Sequence, residues 1–465
     1  MIRQLLAGAF CLGVQGATVA PAPGTWRLDF YHTGGKSTEV FAVDRVVIEP
    51  LAWPDADDNR IDRTMFGSYR FEVRDTTGKV LYSRGYSPIY AEWMLTSEAG
   101  SEDRTFHESL RFPAPAGKVD VVVSKRDADN RFVEAWRTRV DPASIFVDRS
   151  PVATLTPLAV ERHGDPRDKV DVLLLADGYT AGECRTKFPR DARRMADILF
   201  AVEPYKARRN DFNVWGLCPP SPKSGVSRPS TGTHIATPVG TTYDFFGSER
   251  YVLTTDNRAF RTIAANAPYE FATILVNSAT YGGGGLYNIY STAAVDNDWA
   301  AYLFIHEFGH HFAALADEYY TSPVAYQPPA TIVEPWEPNV TALLDPANLK
   351  WKDLATPGAP IPTPWPKEQF ESYSRSLQAR RAKLRADRRP ESEMSALFRE
   401  ERAFDSALFA NAPHAKTIGA FQGANYDARS FYRPAIDCLM FTRDNVPFCP
   451  VCTRTISEII DSYSR

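Results

Sequence analysis

The chain has 465 residues, 44% hydrophobic and 24% charged, with a formal net charge of −4. These are values of a soluble globular protein, and the length exceeds what one core ordinarily fills, so two domains are expected. A charge this close to balance argues against nucleic-acid binding, and after the N-terminal segment no run of 18 apolar residues offers a membrane span.

Arg3, the apolar run from Leu5 to Val14 and the small residues Gly16, Ala17 and Ala20 follow one another in the order of an export signal. The apolar run is too short to cross a bilayer, and Pro21-Ala22-Pro23-Gly24 comes after it. Residues 1–20 are therefore expected to be a cleaved signal peptide, and the mature protein to be secreted or periplasmic. Cys11 lacks the small residue that precedes a lipid-anchored cysteine. Its removal leaves Cys184, Cys218, Cys438, Cys449 and Cys452, too few and too scattered for a disulfide scaffold. Cys449-Pro-Val-Cys452 has the spacing of half a zinc knuckle or of a redox pair. No second such pair exists, so a structural disulfide near the C-terminus is the simpler expectation.

From Thr25 to about Pro142 the sequence runs in short alternating stretches separated by turn residues. Trp26 to Tyr31, Phe41 to Ile48, Tyr69 to Val73, Val80 to Ser83 and Val119 to Val123 read as strands. The expectation for residues 21–148 is an antiparallel β-sandwich with no cluster of ligating side chains. After Asp148 the pattern changes to an α/β layer, residues 149–465. Val170 to Ala176, Phe212 to Leu217 and Phe271 to Asn277 are apolar strands, with helices expected over Arg185 to Arg209 and Asp256 to Ala265. Tyr281-Gly-Gly-Gly-Gly285 fits no nucleotide fingerprint and reads as a loop onto an edge strand from Leu286 to Thr292. Residues 321–433 are a long insertion, rich in Pro and Trp at first, then helical from Glu368 to Ala410. The charged run Arg380 to Arg389 is expected to be a solvated helix face.

Asp296, Asn297 and Asp298 are good caps for a largely apolar helix that starts near Trp299. On it His306 and His310 lie four residues apart, so both imidazoles project from one face and can share a zinc ion. Glu307 then sits beside the metal as a general base, the pattern of a zinc peptidase. With only eight histidines, a chance H-E-x-x-H in this chain is on the order of one in a hundred. His311 turns away from the pair and reads as structural. A third ligand is needed. The spacing H-E-x-x-H-x-x-G-x-x-H, which breaks the helix to supply one, would put its Gly at Ala313 and its last His at Ala316, so this sequence misses it. Asp317 is the candidate, with Glu318 next, and the chain must turn near Ala313-Ala314. A Glu on a later helix, Glu368 or Glu371, is the alternative. Met440 in Cys438-Leu-Met440 is a candidate for the methionine turn beneath the metal.

The stretch from His306 to Tyr320, HEFGHHFAALADEYY, closely resembles the signature of the IgA-type zinc metallopeptidases, a family named for a bacterial enzyme that cleaves immunoglobulin A. The likeness extends to Asp177-Gly-Tyr-Thr180, Glu334-Pro-Trp-Glu-Pro-Asn339, Lys350-Trp351, Tyr432-Arg-Pro434, Cys438-Leu-Met440 and Phe448-Cys-Pro-Val-Cys452. Arg27-Leu-Asp-Phe-Tyr31, Glu92-Trp93 and Arg104-Thr-Phe-His-Glu108 look like that family's N-terminal β domain. The resemblance implies a metzincin-like domain with His306 and His310 as ligands, Glu307 as base and Met440 as the methionine turn. It favours Asp317 as third ligand. It does not extend to the substrate, which loops select.

The resulting expectation is a Zn2+-dependent endopeptidase acting on protein or peptide substrates, with Glu307 moving the proton of the attacking water. The edge strand would hold the substrate by β-augmentation, and Tyr432, Tyr319 or Tyr320 would stabilise the oxyanion. Two rivals stand beside it. One is a secreted binding or adhesion protein with a structural zinc site, and the other an aminopeptidase with an acidic pocket for a free amine.

Overall fold

The computed structural model describes residues 24–150, 154–327 and 331–465; the expected signal peptide lies outside the described residues. The chain is a mixed α+β protein. Its first part contains β1 (Gly24–Gly34), β2 (Glu39–Ala52), β3 (Tyr69–Arg74), β4 (Val80–Tyr86), helix α1 (Ile89–Met94), β5 (Arg104–Pro113), β6 (Val119–Arg126), β7 (Phe132–Val140) and the short β8 (Val147–Asp148). They form two four-stranded sheets, ordered β5-β1-β2-β8 and β4-β3-β6-β7, antiparallel except for the β2–β8 pair.

Strand alternation explains which face is buried where. Trp26, Leu28 and Phe30 of β1 share one apolar cluster with Phe71 and Val73 of β3 and Val121 and Val123 of β6, so both sheets contribute to a common core. The intervening Arg27 and Asp29 are also buried, at 1% and 0%, and pair with each other at 2.8 Å. This polar face meets the second part of the chain. Arg111 on β5 bonds Glu49 and donates to the Tyr269 carbonyl, while Asn257 donates to Ser109.

That second part continues with β9 (Leu158–Glu161), β10 (Val170–Asp177), α2 (Ala181–Thr186), α3 (Phe188–Leu199), β11 (Phe212–Leu217), α4 (Asn257–Ala264), β12 (Phe271–Val276), β13 (Gly283–Leu286), β14 (Tyr290–Ala294) and α5 (Ala300–Ala313). The six strands form one sheet in the order β13-β14-β12-β10-β11-β9. The four inner strands are parallel and almost wholly buried, as continuous apolar runs such as Val170 to Ala176 require. β9 and β13 close the two edges antiparallel. The Asp177-Gly-Tyr-Thr180 segment caps β10. The buried Asp177 carboxylate accepts from Thr237 and from the Val239 and Thr241 amides, and Thr180 opens α2 through a reciprocal cap with Glu183.

The structure departs from the sequence reading at several elements. The helix expected over Arg185 to Arg209 is two short helices that end at Leu199. The strand expected from Leu286 to Thr292 is a hairpin, turned at Asn288 with φ 56°, and the glycines belong to its edge strand. The helical stretch after Glu368 divides into α6 (Lys367–Ala386) and α7 (Glu391–Ala410), which pack as a pair. Arg388 at φ 51° and Pro390 separate them, because proline cannot donate within a helix. Nor is the charged run fully solvated: Arg381 is 5% exposed, and both it and Arg385 pair with Glu249. The last elements are the hairpin β15 (Phe421–Ala424) and β16 (Asp427–Arg433), then α8 (Pro450–Tyr463). The disulfide joins Cys184 to Cys218, not a pair near the C-terminus, where Cys438, Cys449 and Cys452 are free and buried.

Candidate metal centre

Helix α5 is apolar almost all round, with Leu303, Phe304, Ile305, Phe308 and Phe312 buried, and so it runs through the core. The N-cap position is Trp299 and carries no side-chain cap; Asn297, one of the three caps expected there, accepts from the Trp299 amide just before the helix. Four-residue spacing brings the His306 and His310 Nε2 atoms to 3.2 Å of each other. Both outer nitrogens are anchored on main-chain carbonyls. His306 Nδ1 donates to Leu439 O at 3.2 Å and His310 Nδ1 to Leu315 O. Each ring thereby keeps Nε2 free for a common point, the arrangement that metal-ligating histidines use. His311 is the structural residue the sequence suggested. Its Nδ1 donates to Leu286 O, its Nε2 accepts from the Ala272 amide, and burial pushes its pKa down to about 3.

The turn demanded of the chain falls at Ala314, whose left-handed backbone (φ 55°, ψ 28°) ends α5. Three residues later Asp317 Oδ1 reaches 2.8 Å from His306 Nε2 and 3.3 Å from His310 Nε2. In the pattern that the sequence missed, glycine and last histidine are likewise three residues apart. Here the break and the ligand have both moved on by one. Tyr426 donates to Asp317 Oδ2, leaving Oδ1 turned toward the histidines. Asn339 holds the loop by accepting from the Ala316 amide and donating to the Ala316 carbonyl. Its own segment is tied by Lys350, which donates to Glu337 O and Val340 O. Beneath the helix, Met440 Sδ lies 3.1 Å from where a Gly309 Cβ would stand, and Met440 O accepts from the Glu318 amide. Burial opposes a charged His310, yet the Asp317 carboxylate, with Glu307 and the Leu315 carbonyl, raises the ring to about 9.

The alternatives for third ligand do not reach this point. Glu318 turns the other way, its Oε1 accepting from Asn339 and from Cys452. Glu371 pairs with Lys367 and Arg375, and Glu368 is exposed.

Glu307, His310 and Asp317 line a cleft walled by Gly283 and Gly285 of β13. The glycines let helix and strand touch. A Cβ on Gly285 would lie 2.4 Å from the Glu307 carbonyl oxygen, and one on Gly283 3.1 Å from Glu307 Cγ. The strand's outer edge is partly taken, since Gly283 bonds Arg250 and Val252, so Gly285 is the position that faces the cleft. Burial raises the Glu307 carboxyl above its ordinary value, while His306 and His310 pull it back.

Tyr432 is not among the cleft residues. It pairs with Thr341 through the backbone, and Tyr320 is buried against Phe441. Of the tyrosines singled out from sequence only Tyr319 faces the cleft, its hydroxyl accepting from Arg250 at 3.2 Å. Arg250, Tyr326, Tyr426 and Glu337 had no spacing signal to reveal them. Glu92 also lines the cleft, from α1 of the first part, whose β strands had suggested no chemistry.

Tetrahedral zinc with nitrogen and oxygen ligands near 2.0–2.1 Å places those atoms roughly 3.3 Å apart. The separations of 3.2, 3.3 and 2.8 Å match that triangle, with the last edge short, so the three side chains fit the ion. A family model described as IgA Peptidase M64 matches residues 158–460, more than half of the chain. A second, described as Peptidase M64 N-terminus, matches residues 20–137. No curated protein matches the chain.

Proposed function

The chain belongs to the IgA peptidase M64 family, and from that premise we propose that it is a secreted, zinc-dependent endopeptidase. The observation that carries this reading is the convergence of His306 Nε2, His310 Nε2 and Asp317 Oδ1 on one point, with Glu307 beside it in an open cleft. In this proposal residues 1–20 are the export signal, residues 21–148 form a β-sandwich that borders the cleft, and residues 149–465 form a metzincin-like peptidase domain.

His306, His310 and Asp317 would hold the zinc, which when bound would supply Lewis acidity toward the scissile carbonyl and the attacking water. Glu307 takes the proton of the attacking water. It holds that proton until the leaving amine accepts it. Gly285 offers backbone groups to an extended peptide. In this reading the Tyr319 hydroxyl, kept protonated by burial and steadied by Arg250, donates to the carbonyl oxygen as charge develops there. Of the three tyrosines expected for this role, it is the one that lines the cleft.

The test is Glu307→Ala. Hydrolysis of an unstructured protein such as casein should be abolished while zinc remains bound; unchanged hydrolysis overturns the mechanism. One observation favours the aminopeptidase reading, because Glu92 and Glu337 bring carboxyls to the cleft where a free amine would be held. N-blocked peptides separate the two: an endopeptidase cleaves them and an aminopeptidase does not.

A further inference from the structure

A second set of ligand atoms converges behind the loop that carries Asp317, and the hydrolytic mechanism leaves it unused. Glu318, Cys438 and Cys452 are fully buried and Cys449 is 4% exposed. Their three sulfurs and one carboxylate oxygen all lie within 4.8 Å of one another. We propose that Glu318, Cys438, Cys449 and Cys452 form a closed, four-coordinate structural zinc site, distinct from the centre on α5.

The edges of the cluster fit an ion at its middle. Zinc–sulfur bonds of about 2.3 Å at tetrahedral angles put two sulfurs roughly 3.8 Å apart, and sulfur and carboxylate oxygen roughly 3.5 Å apart. Cys438 Sγ and Cys452 Sγ are 3.9 Å apart, and Cys452 Sγ is 3.5 Å from Glu318 Oε1. A disulfide needs about 2.05 Å, and it would strand the third thiol and a buried carboxyl. Among the described residues, Glu318 Oε2 is buried with no hydrogen-bond partner, so the carboxylate as it stands is under-satisfied.

The chain builds this site in the way it builds a ligand shell. Cys449 is the N-cap residue of α8, and Pro450 starts the helix without leaving an amide to satisfy, so Cys449 and Cys452 share the electropositive end. The Cys449 amide donates to Cys438 Sγ at 3.2 Å, and Asn339 donates to Glu318 Oε1 at 3.0 Å, fixing both from outside. Soft thiolates with one carboxylate in a dry, closed pocket select zinc and leave no open position for substrate.

Such an ion would clamp the hydrolytic centre. Glu318 follows Asp317, and Cys438 precedes Leu439, whose carbonyl accepts from His306. One ion joining them to α8 holds both the loop of the third ligand and the support of the first. Only this consequence rests on the function proposed above; the ion site does not.

The test uses the full chain, loaded with Zn2+ or Co2+ under anaerobic, reducing conditions and freed of excess metal. Plasma mass spectrometry should count two zinc ions per chain, and the cobalt form should show thiolate-to-cobalt charge transfer in the near ultraviolet. Removing both histidines (His306→Ala with His310→Ala) should lower the count to one and leave that band intact. Cys449→Ser with Cys452→Ser should abolish the band. A cobalt form of the unaltered chain without the band overturns the proposal, as does a Cys438–Cys452 disulfide in freshly isolated protein. Both readings come from the unaltered chain, so a cysteine variant that fails to fold does not obscure the answer. One ion with the band present supports this site and counts instead against the centre on α5.

Discussion

Gly285→Ala tests how closely α5 and β13 must meet. The added methyl would lie 2.4 Å from the Glu307 carbonyl oxygen and 2.8 Å from His310 Cβ, whereas ordinary contact begins near 3.4 Å. The first of these neighbours is backbone inside α5 and has no rotamer to change. Helix or strand must therefore retreat by roughly 1 Å, carrying Glu307 and His310 with it, and a displacement of that size costs on the order of 10²-fold in rate. Overpacking of this kind destabilises by about 1–3 kcal/mol. The assay is kcat/KM on an unstructured peptide, alongside zinc retention against a chelator and the urea midpoint. Gly117→Ala is the control, because nothing stands within 4 Å of its added methyl. Full activity in Gly285→Ala, or an equal loss in the control, would refute the close packing described for α5 and β13.

Three further outcomes follow from particular residues. Tyr426→Phe removes the hydroxyl that fixes Asp317 Oδ2. Zinc affinity should drop about 10–100-fold in chelator competition, and an unchanged affinity would show that Asp317 needs no such partner. Ala314→Gly relieves a left-handed alanine (φ 55°), worth about 1–2 kcal/mol, against about 0.5–1 kcal/mol of added chain entropy. The variant should unfold at a slightly higher urea concentration, and a clear loss would contradict the backbone assigned there. Asp405 on α7 is buried at 3%, and burial, with Glu401 and Asp444 near it, pushes its pKa up to about 9 from 3.8. The folded value lies above the unfolded one, so its contribution is complete below pH 3.8 and is lost as pH rises toward 9. Asp405→Asn should therefore gain stability over the parent progressively between about pH 5 and about pH 9. A difference in melting temperature that stays flat across that range would rule this out.

The first part of the chain has a role that its strand pattern does not announce. Glu92 and Leu95 stand in the cleft wall, and the Leu95 carbonyl accepts from Gln327 of the insertion. Trp93, between them, is wholly buried and donates to Glu98, which fixes α1 and hence the direction of Glu92. The Glu92-Trp93 pair is thus one residue of core and one of cleft, alternating as neighbours on a short helix do.

The parts of this protein legible along the chain are those that depend on local periodicity. A 3.6-residue repeat puts His306 and His310 on one face of a helix, and a two-residue repeat puts Trp26, Leu28 and Phe30 into a common core. The same helical geometry required a break before Asp317, because a continued helix would carry that carboxylate out of reach. Tertiary structure decided what no period encodes. Tyr426 meets Asp317 across 109 positions, and Cys452 meets Glu318 across 134. Such pairs are set by how whole elements pack, so the composition around either residue carries no trace of the other. The same holds for Gly283 and Gly285, which read as part of a loop until α5 is laid against them. The disulfide expected near the C-terminus failed for that reason too. Spacing along the chain cannot tell a pair of thiols facing each other from three that face a buried carboxylate.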